Sequence, residues 1–454
     1  TNVRITSHRH RSSINRRIQD SRCECCSFVL LQEENQSCRV IKKSSNYSMC
    51  KTTGALATPP PPMDDDSVSD PLECPPLRWG MIGCGRVSHD FTQALKNLPT
   101  ASVVACSARS EEDAEKFAVK HSIPKFYGGY DKMLTDPNVD IVYVGNLHAF
   151  RRTVGEKCLK ANKHVLLEKP FACSVEDAEY LIGLAKERNL FLMEGMWTRF
   201  FPAVEKARRI VWGSQNEKGI LGEVVSVHSD FNFNAADSEE YPTSFVYNHK
   251  LGGGASYLVA PYPIAAVTLF FKGANPDQIK AVGQVDEATG VDLQGNMTVR
   301  FPPTGDTAPA VDDSNTEENT PKLPGAGVAT LSFGMLGESK EETCVIGTKG
   351  RLTIEAPGHC PTRVHVAIKA SGRGQSLDEV FEYPVPADTE EIKDAGGYFY
   401  PNSAGFAYEA AAVARCIAAG KTEAPQFTLN ETMVNIKMIE ELRDQLGVKP
   451  LLAP

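Results

Sequence analysis

Leu77-Arg78-Trp79-Gly80-Met81-Ile82-Gly83-Cys84-Gly85-Arg86-Val87-Ser88 is the stretch on which the fold turns. Leu77 to Ile82 read as a strand that runs directly into Gly83-Cys84-Gly85. Glycines in this spacing after a strand permit a tight turn and let the backbone approach a pyrophosphate closely. The third glycine of such a fingerprint is Ser88 here. The helix expected over residues 88–98 should therefore sit slightly further from its strand. Its N-terminal amides would face the phosphates.

Downstream, Val103 to Ser107 reads as a second strand. An acid at the end of that strand would bind the ribose 2′-hydroxyl of NAD. This chain has Ala108-Arg109-Ser110 instead. An arginine fork suits a 2′-phosphate, and the missing carboxylate removes a repulsion, so NADP is preferred over NAD. The alternation continues with a helix over 111–121, a strand over 140–145, a helix over 151–161 and a strand over 164–167. A serine-capped helix from Ser174 and a strand over 191–194 follow. Strands alternating with helices of this length mean a Rossmann-type, doubly wound parallel α/β sheet.

The strand His164-Val165-Leu166-Leu167 ends in Glu168-Lys169-Pro170. Proline cannot continue a ladder, so Pro170 stops the strand. Ligands of open α/β sheets bind outside the carboxyl ends of the strands. Lys169 is therefore expected where a cofactor meets its substrate.

After Gly222 the apolar period shifts towards two. Strands are expected near residues 225–233, 279–285, 296–301, 328–333, 343–346, 351–354 and 364–368, with Gly347-Thr348-Lys349-Gly350 as a hairpin turn. This pattern predicts an α+β C-terminal domain with an open, mainly antiparallel sheet. Residues 302–327 read as an acidic, polar loop insertion. Thr428 and Glu431 form a candidate capping box, Gly447 a helix stop, and Ile436, Ile439 and Leu446 one apolar face. That C-terminal helix is expected to pack back on the core.

At 454 residues the chain suits two domains. The expected division is a disordered extension or targeting segment over 1–76, a dinucleotide-binding domain over 77–200 and a substrate and dimerisation domain over 201–454. A net charge of −9 disfavours nucleic acid as a partner, and no apolar run reaches the roughly 18 residues of a membrane span. Thirteen cysteines lack a disulfide-like framework. Cys23, Cys25, Cys26 and Cys38 match no zinc spacing, so no metal is expected. Arg4, Arg9, Arg11, Arg16 and Arg17 precede the first acid, Asp20, and the first methionine is Met49. That opening is compatible with a transit peptide, and equally with non-native sequence upstream of a start at Met49. The expected location is cytoplasmic, or organellar if the segment is a transit peptide.

Together, Gly-x-Gly after the first strand, Val142-Tyr143-Val144-Gly145, Glu168-Lys169-Pro170 and Met196-Trp197-Thr198-Arg199-Phe200-Phe201-Pro202 resemble the Gfo/Idh/MocA oxidoreductase family. Gly252-Gly253-Gly254-Ala255, Gly347-Thr348-Lys349-Gly350 and Tyr408-Glu409-Ala410 extend the resemblance, which spans roughly residues 77–448 and is closest to the dihydrodiol and D-xylose dehydrogenase branch. The resemblance implies NADP contacts at Gly83, Gly85, Arg86, Val87, Arg109, His148, Glu168 and Lys169. It implies catalytic roles for Lys169 and Tyr262 and substrate contacts at Trp197, Phe231, Leu258 and Tyr262. It further implies a sugar or small cyclic trans-diol as substrate and a homodimer through the second-domain sheet.

Several positions depart from that pattern. The helix after the glycine triplet usually carries an aspartate four residues before the tyrosine, on one helix face. Here that position is Leu258, and Pro261 precedes Tyr262, so a kink is expected. Leu258 cannot accept a hydrogen bond through its side chain. One such loss costs about 1–3 kcal/mol, or roughly one to two decades of rate. Tyr257 and His249 are candidates to supply the missing polar group, and Arg151 replaces a histidine common in relatives. A tyrosine base needs a nearby cation to lower its pKa, and Lys169 is expected to supply it. The alternative is a noncatalytic NADP-binding regulatory or sensor protein on the same scaffold.

Overall fold

The computed structural model describes residues 70–214, 219–235, 241–302, 327–369 and 376–451. The arginine-rich opening with its four clustered cysteines, and residues 303–326 of the acidic insertion, lie outside the described residues.

The first part alternates as its sequence predicts. It runs β1 (Leu77–Ile82), α1 (Arg86–Leu95), β2 (Ala101–Ala108), α2 (Glu111–His121), β3 (Phe126–Gly128), α3 (Asp131–Leu134) and β4 (Ile141–Val144). Then come α4 (Arg151–Lys160), β5 (His164–Glu168), α5 (Val175–Glu187) and β6 (Leu192–Gly195). The six strands pair in parallel in the order β3-β2-β1-β4-β5-β6. Helices cover both faces, which is why β4, reading Ile-Val-Tyr-Val, is buried along its whole length. Strand order reverses between β1 and β4, and that crevice is where such sheets bind ligands.

Ser88 finds its place against the loop after β4. Its hydroxyl lies where a side chain at Gly145 would be, 2.2 Å from that ideal Cβ, so a glycine after β4 makes room for the serine in α1. Order begins before Leu77. Arg415 donates to the carbonyls of Pro71 and Glu73 at 2.9 and 2.8 Å, and Thr100 donates to Cys74 O at 2.8 Å.

The second part runs α6 (Pro202–Trp212), β7 (Val224–Asn232), α7 (Ala255–Leu258), α8 (Pro261–Phe270), β8 (Gln278–Val285), β9 (Asp292–Phe301) and β10 (Gly327–Gly334). It continues with β11 (Thr343–Gly347), β12 (Gly350–Ile354), β13 (Arg363–Ile368), β14 (Leu377–Glu382), α9 (Glu390–Asp394), α10 (Phe406–Ala418) and α11 (Leu429–Leu446). Its eight strands lie in the order β14-β13-β12-β11-β7-β10-β9-β8, antiparallel except for β7 with β10. Val227, Leu331, Val299, Val345 and Leu352 alternate inward to form the core face. Helices α6 and α8 lie against that sheet. Helix α11 carries the Thr428–Glu431 capping box and a left-handed Gly447, and contacts α5, α8 and β8.

The helix carrying positions 258 and 262 is not continuous. Residues 249–258 and 261–270 diverge by 44°. Pro261 opens α8, where its missing N–H is harmless, but its ring would clash with a carbonyl one turn earlier in an unbroken helix. Leu258 and Tyr262 therefore sit on separate segments rather than one face.

Candidate active site

The turn after β1 is shaped for a phosphate. Gly83 adopts φ 89°, and a Cβ there would meet backbone atoms of Gly145 and Asn146 at 3.0–3.1 Å. Its N–H donates to Ser107 O at 3.0 Å, tying the turn to the end of β2. Gly85 is the N-cap of α1, with no side-chain cap, no acid in the first helical turn and open space above its Cα. The first amides of α1 therefore remain available to an anion. Arg86 lies with its guanidinium 5.5 Å from the Phe399 ring centroid, and Val87 is partly buried beside it. Arg109 is exposed at the tip of β2. These residues fit a dinucleotide laid across the reversal point of the sheet.

At the end of β5, Glu168 is buried and accepts the Tyr143 hydroxyl at 2.9 Å and the Lys169 backbone N–H at 3.0 Å. Burial raises its pKa, against the pull of Arg151 and Lys169. The Lys169 ammonium donates to the backbone carbonyl of Leu258 at 2.8 Å. Burial lowers this lysine to about 8, with Glu168 opposing and Arg151 adding to the shift. Arg151 is itself buried and donates to Pro170 O at 2.6 Å and to Asn146 O at 3.0 and 3.2 Å. It thus clamps the segment that carries Lys169 to the loop after β4.

Tyr262 faces this lysine with its ring. The Lys169 Nζ lies 4.4 Å from the ring centroid, a cation–π contact. The phenol oxygen accepts the Trp197 indole N–H at 3.3 Å. Burial, then the Glu168 charge, pushes the Tyr262 pKa well above its ordinary value. The expectation that Lys169 lowers that pKa is therefore corrected. The cation sits over the ring face, and desolvation of the phenolate prevails. Tyr262 stays protonated, and with one lone pair taken by Trp197 it is free to donate its own proton to a substrate oxygen.

The walls around Tyr262 are aromatic. Trp197 stacks on Phe406 at 4.1 Å, and Phe231 lies 5.5 Å from the Tyr262 ring. His359 lies parallel to Phe231 at 4.8 Å and 5.3 Å from Tyr262. Sequence reasoning missed His359 because it lies in an aperiodic loop between β12 and β13.

The expected residues fall into three groups. Lys169, Tyr262, Trp197 and Phe231 converge. Leu258 belongs to the site through its carbonyl, while its partly buried side chain packs on the core. His148, expected at the cofactor, bonds Gly252 O through Nε2 at 2.6 Å, and burial lowers its pKa to about 3. It pins the glycine triplet in its neutral form. Neither candidate for the missing polar group fills that place. The Tyr257 hydroxyl donates to Cys173 O at 2.6 Å, and His249 pairs with Lys449 O at 2.8 Å.

Known proteins share this sequence pattern and this fold. The model described as the oxidoreductase family with an NAD-binding Rossmann fold, Gfo/Idh/MocA, matches residues 77–196, and the C-terminal domain model of the same family matches 214–353. Trans-1,2-dihydrobenzene-1,2-diol dehydrogenase of Danio rerio is 35% identical over 376 residues, covering 82% of this chain and 97% of that protein. The Homo sapiens protein of the same name is 30% identical over 374 residues, with 82% and 97% covered. KijD10, a 3-ketoreductase from Actinomadura kijaniata in complex with NADP and TDP-benzene, aligns with a TM-score of 0.62 at 22% identity, covering 82% of this chain and 98% of that one. Levoglucosan dehydrogenase in complex with NADH and levoglucosan aligns with a TM-score of 0.66 at 16% identity, covering 82% and 97%. With the phosphate turn, the strand-end lysine and the two-domain architecture in place, the chain belongs to the Gfo/Idh/MocA family of oxidoreductases, which carry a nicotinamide dinucleotide on the Rossmann sheet.

Proposed function

We propose that this protein is an NADP-dependent dehydrogenase that oxidises a hydroxyl-bearing carbon of a small cyclic trans-diol or sugar. The observation that carries the reading is the convergence of Lys169 and Tyr262 at the Leu258 carbonyl, inside aromatic walls at the end of β5. Relatives named for a trans-dihydrodiol support the substrate class. When bound, the nicotinamide supplies the hydride acceptor in oxidation and the donor in reduction.

The roles follow from the protonation states. Lys169, lowered to about 8 by burial, exchanges the hydroxyl proton near neutral pH. Tyr262 donates a hydrogen bond to the oxygen as its charge develops. The reverse assignment, with Tyr262 as the base, would need an ionised phenol that the buried site disfavours.

Preference for NADP rests on Arg109, exposed at the tip of β2 where the chain has no acid before the helix. The bound NADP of one structural neighbour and NADH of another make the choice an experimental one. Turnover of trans-cyclohexane-1,2-diol and D-xylose with NADP and NAD tests the reading. A clear NADP preference with at least one of them is expected, and turnover of neither substrate with either nucleotide refutes it. We also propose self-association through the outer face of the eight-stranded sheet, which exposes Val282, Val328, Ile346 and Val380 among polar and basic residues such as Ser226, Thr330, Arg300 and Arg351. Sedimentation of Val282→Glu against the parent chain tests that face.

A further inference from the structure

His359 brings an imidazole into a wall that is otherwise aromatic and apolar. Its ring lies 5.3 Å from Tyr262 and 5.9 Å from Trp197, and its side chain is 11% exposed. A polar group buried in apolar walls is costly unless it meets a partner there. Its orientation is built by its surroundings. Nδ1 donates to the Glu341 carboxylate, and the ring lies parallel to Phe231 at 4.8 Å. A carboxylate at Nδ1 holds the tautomer with the lone pair on Nε2. That nitrogen faces the Cys360 thiol at 3.4 Å, a weaker donor than a hydroxyl.

The loop carrying the pair is anchored from several sides. Glu341 holds φ 59°, the left-handed region unusual for a side-chain-bearing residue. Asp230, the residue before Phe231, accepts the N–H groups of Glu341 and Glu342 at 2.8 and 3.3 Å. The Glu341 carbonyl takes the Gly358 N–H at 2.9 Å, and the Thr198 hydroxyl donates to His359 O. Glu341 is thereby aimed at the imidazole from one side while Thr198, beside Trp197, holds its backbone from the other.

We propose that His359, oriented by Glu341, recognises the second hydroxyl of a vicinal diol while Tyr262 takes the hydroxyl that is oxidised. This rests on the dehydrogenase reading above and deepens it to a specificity determinant. Adjacent hydroxyls are one carbon–carbon bond apart, so one substrate can meet both side chains. A mono-alcohol engages Tyr262 and Lys169 and leaves Nε2 of His359 without its substrate partner.

The test is kcat/KM for trans-cyclohexane-1,2-diol against cyclohexanol with NADP, in the full chain and in His359→Phe and Glu341→Gln. The parent protein should prefer the diol. In His359→Phe, diol kcat/KM should fall about 10- to 100-fold, mainly through KM, while cyclohexanol changes by less than about threefold. Glu341→Gln keeps the imidazole but loosens it, so the diol preference should fall less and in the same direction. NADPH affinity by fluorescence titration should stay unchanged in both variants. A preference that survives His359→Phe, or an equal loss on both substrates, overturns the proposal. If His359→Phe does not fold, an unchanged diol preference in Glu341→Gln overturns it. No turnover of either substrate by the parent protein overturns both this inference and the reading it rests on.

Discussion

Replacing Lys169 with methionine removes a cation that the folded protein holds at a cost. Burial brings this lysine from its ordinary 10.5 to about 8. Each decade of such a shift corresponds to about 1.4 kcal/mol, so holding the charge costs at most about 3 kcal/mol, reduced by the solvent that still reaches the side chain. Below pH 8 folded and unfolded chains both bind the proton, and the cost is fully present. Between pH 8 and 10.5 the folded chain releases it first, so stability rises with pH through that window. The parent protein should therefore gain up to about 3 kcal/mol there from this residue, and Lys169→Met none of it. The variant also leaves the Leu258 carbonyl without its donor, a loss of about 1 kcal/mol that does not vary with pH. Urea unfolding of both proteins at pH 7.5, 9 and 10.5 separates the two effects. In parallel, kcat/KM for diol oxidation should rise about tenfold per pH unit up to about 8 and then level, because the free amine accepts the proton. A stability difference constant across this range, or an oxidation rate that keeps rising to pH 10, refutes Lys169 as the titrating group.

Tyr262→Phe should lower kcat about 100-fold while leaving the pH limb near 8, since the phenol donates a hydrogen bond and does not titrate there; steady-state pH profiles check this. Arg109→Ala should raise the Kd of NADPH about tenfold and leave that of NADH within about twofold, measured by fluorescence titration. Arg151→Met strands the carbonyls of Pro170 and Asn146 and removes a positive charge beside Glu168. It should destabilise the fold by about 3 kcal/mol in urea unfolding.

What the sequence by itself determined is the local order. Hydrophobic period, the glycines after β1 and the capping box of α11 act over a few residues, so the alternating sheet and most strands of the second one were legible in it. Strand β14, with its mostly exposed Leu-Asp-Glu-Val-Phe-Glu, carries little apolar pattern and was missed. The positions of Lys169 and Tyr262 were legible through motif resemblance, but their chemistry was not. Only the tertiary structure placed the Leu258 backbone carbonyl on the Lys169 ammonium, turned the Tyr262 ring rather than its hydroxyl towards that charge, and brought His359 and Glu341 from loops after other strands. A carbonyl has no signature in a residue's identity, and a pKa depends on how much water the whole fold removes. Periodicity records which side of an element is buried, whereas the site is made where loops from distant strands meet.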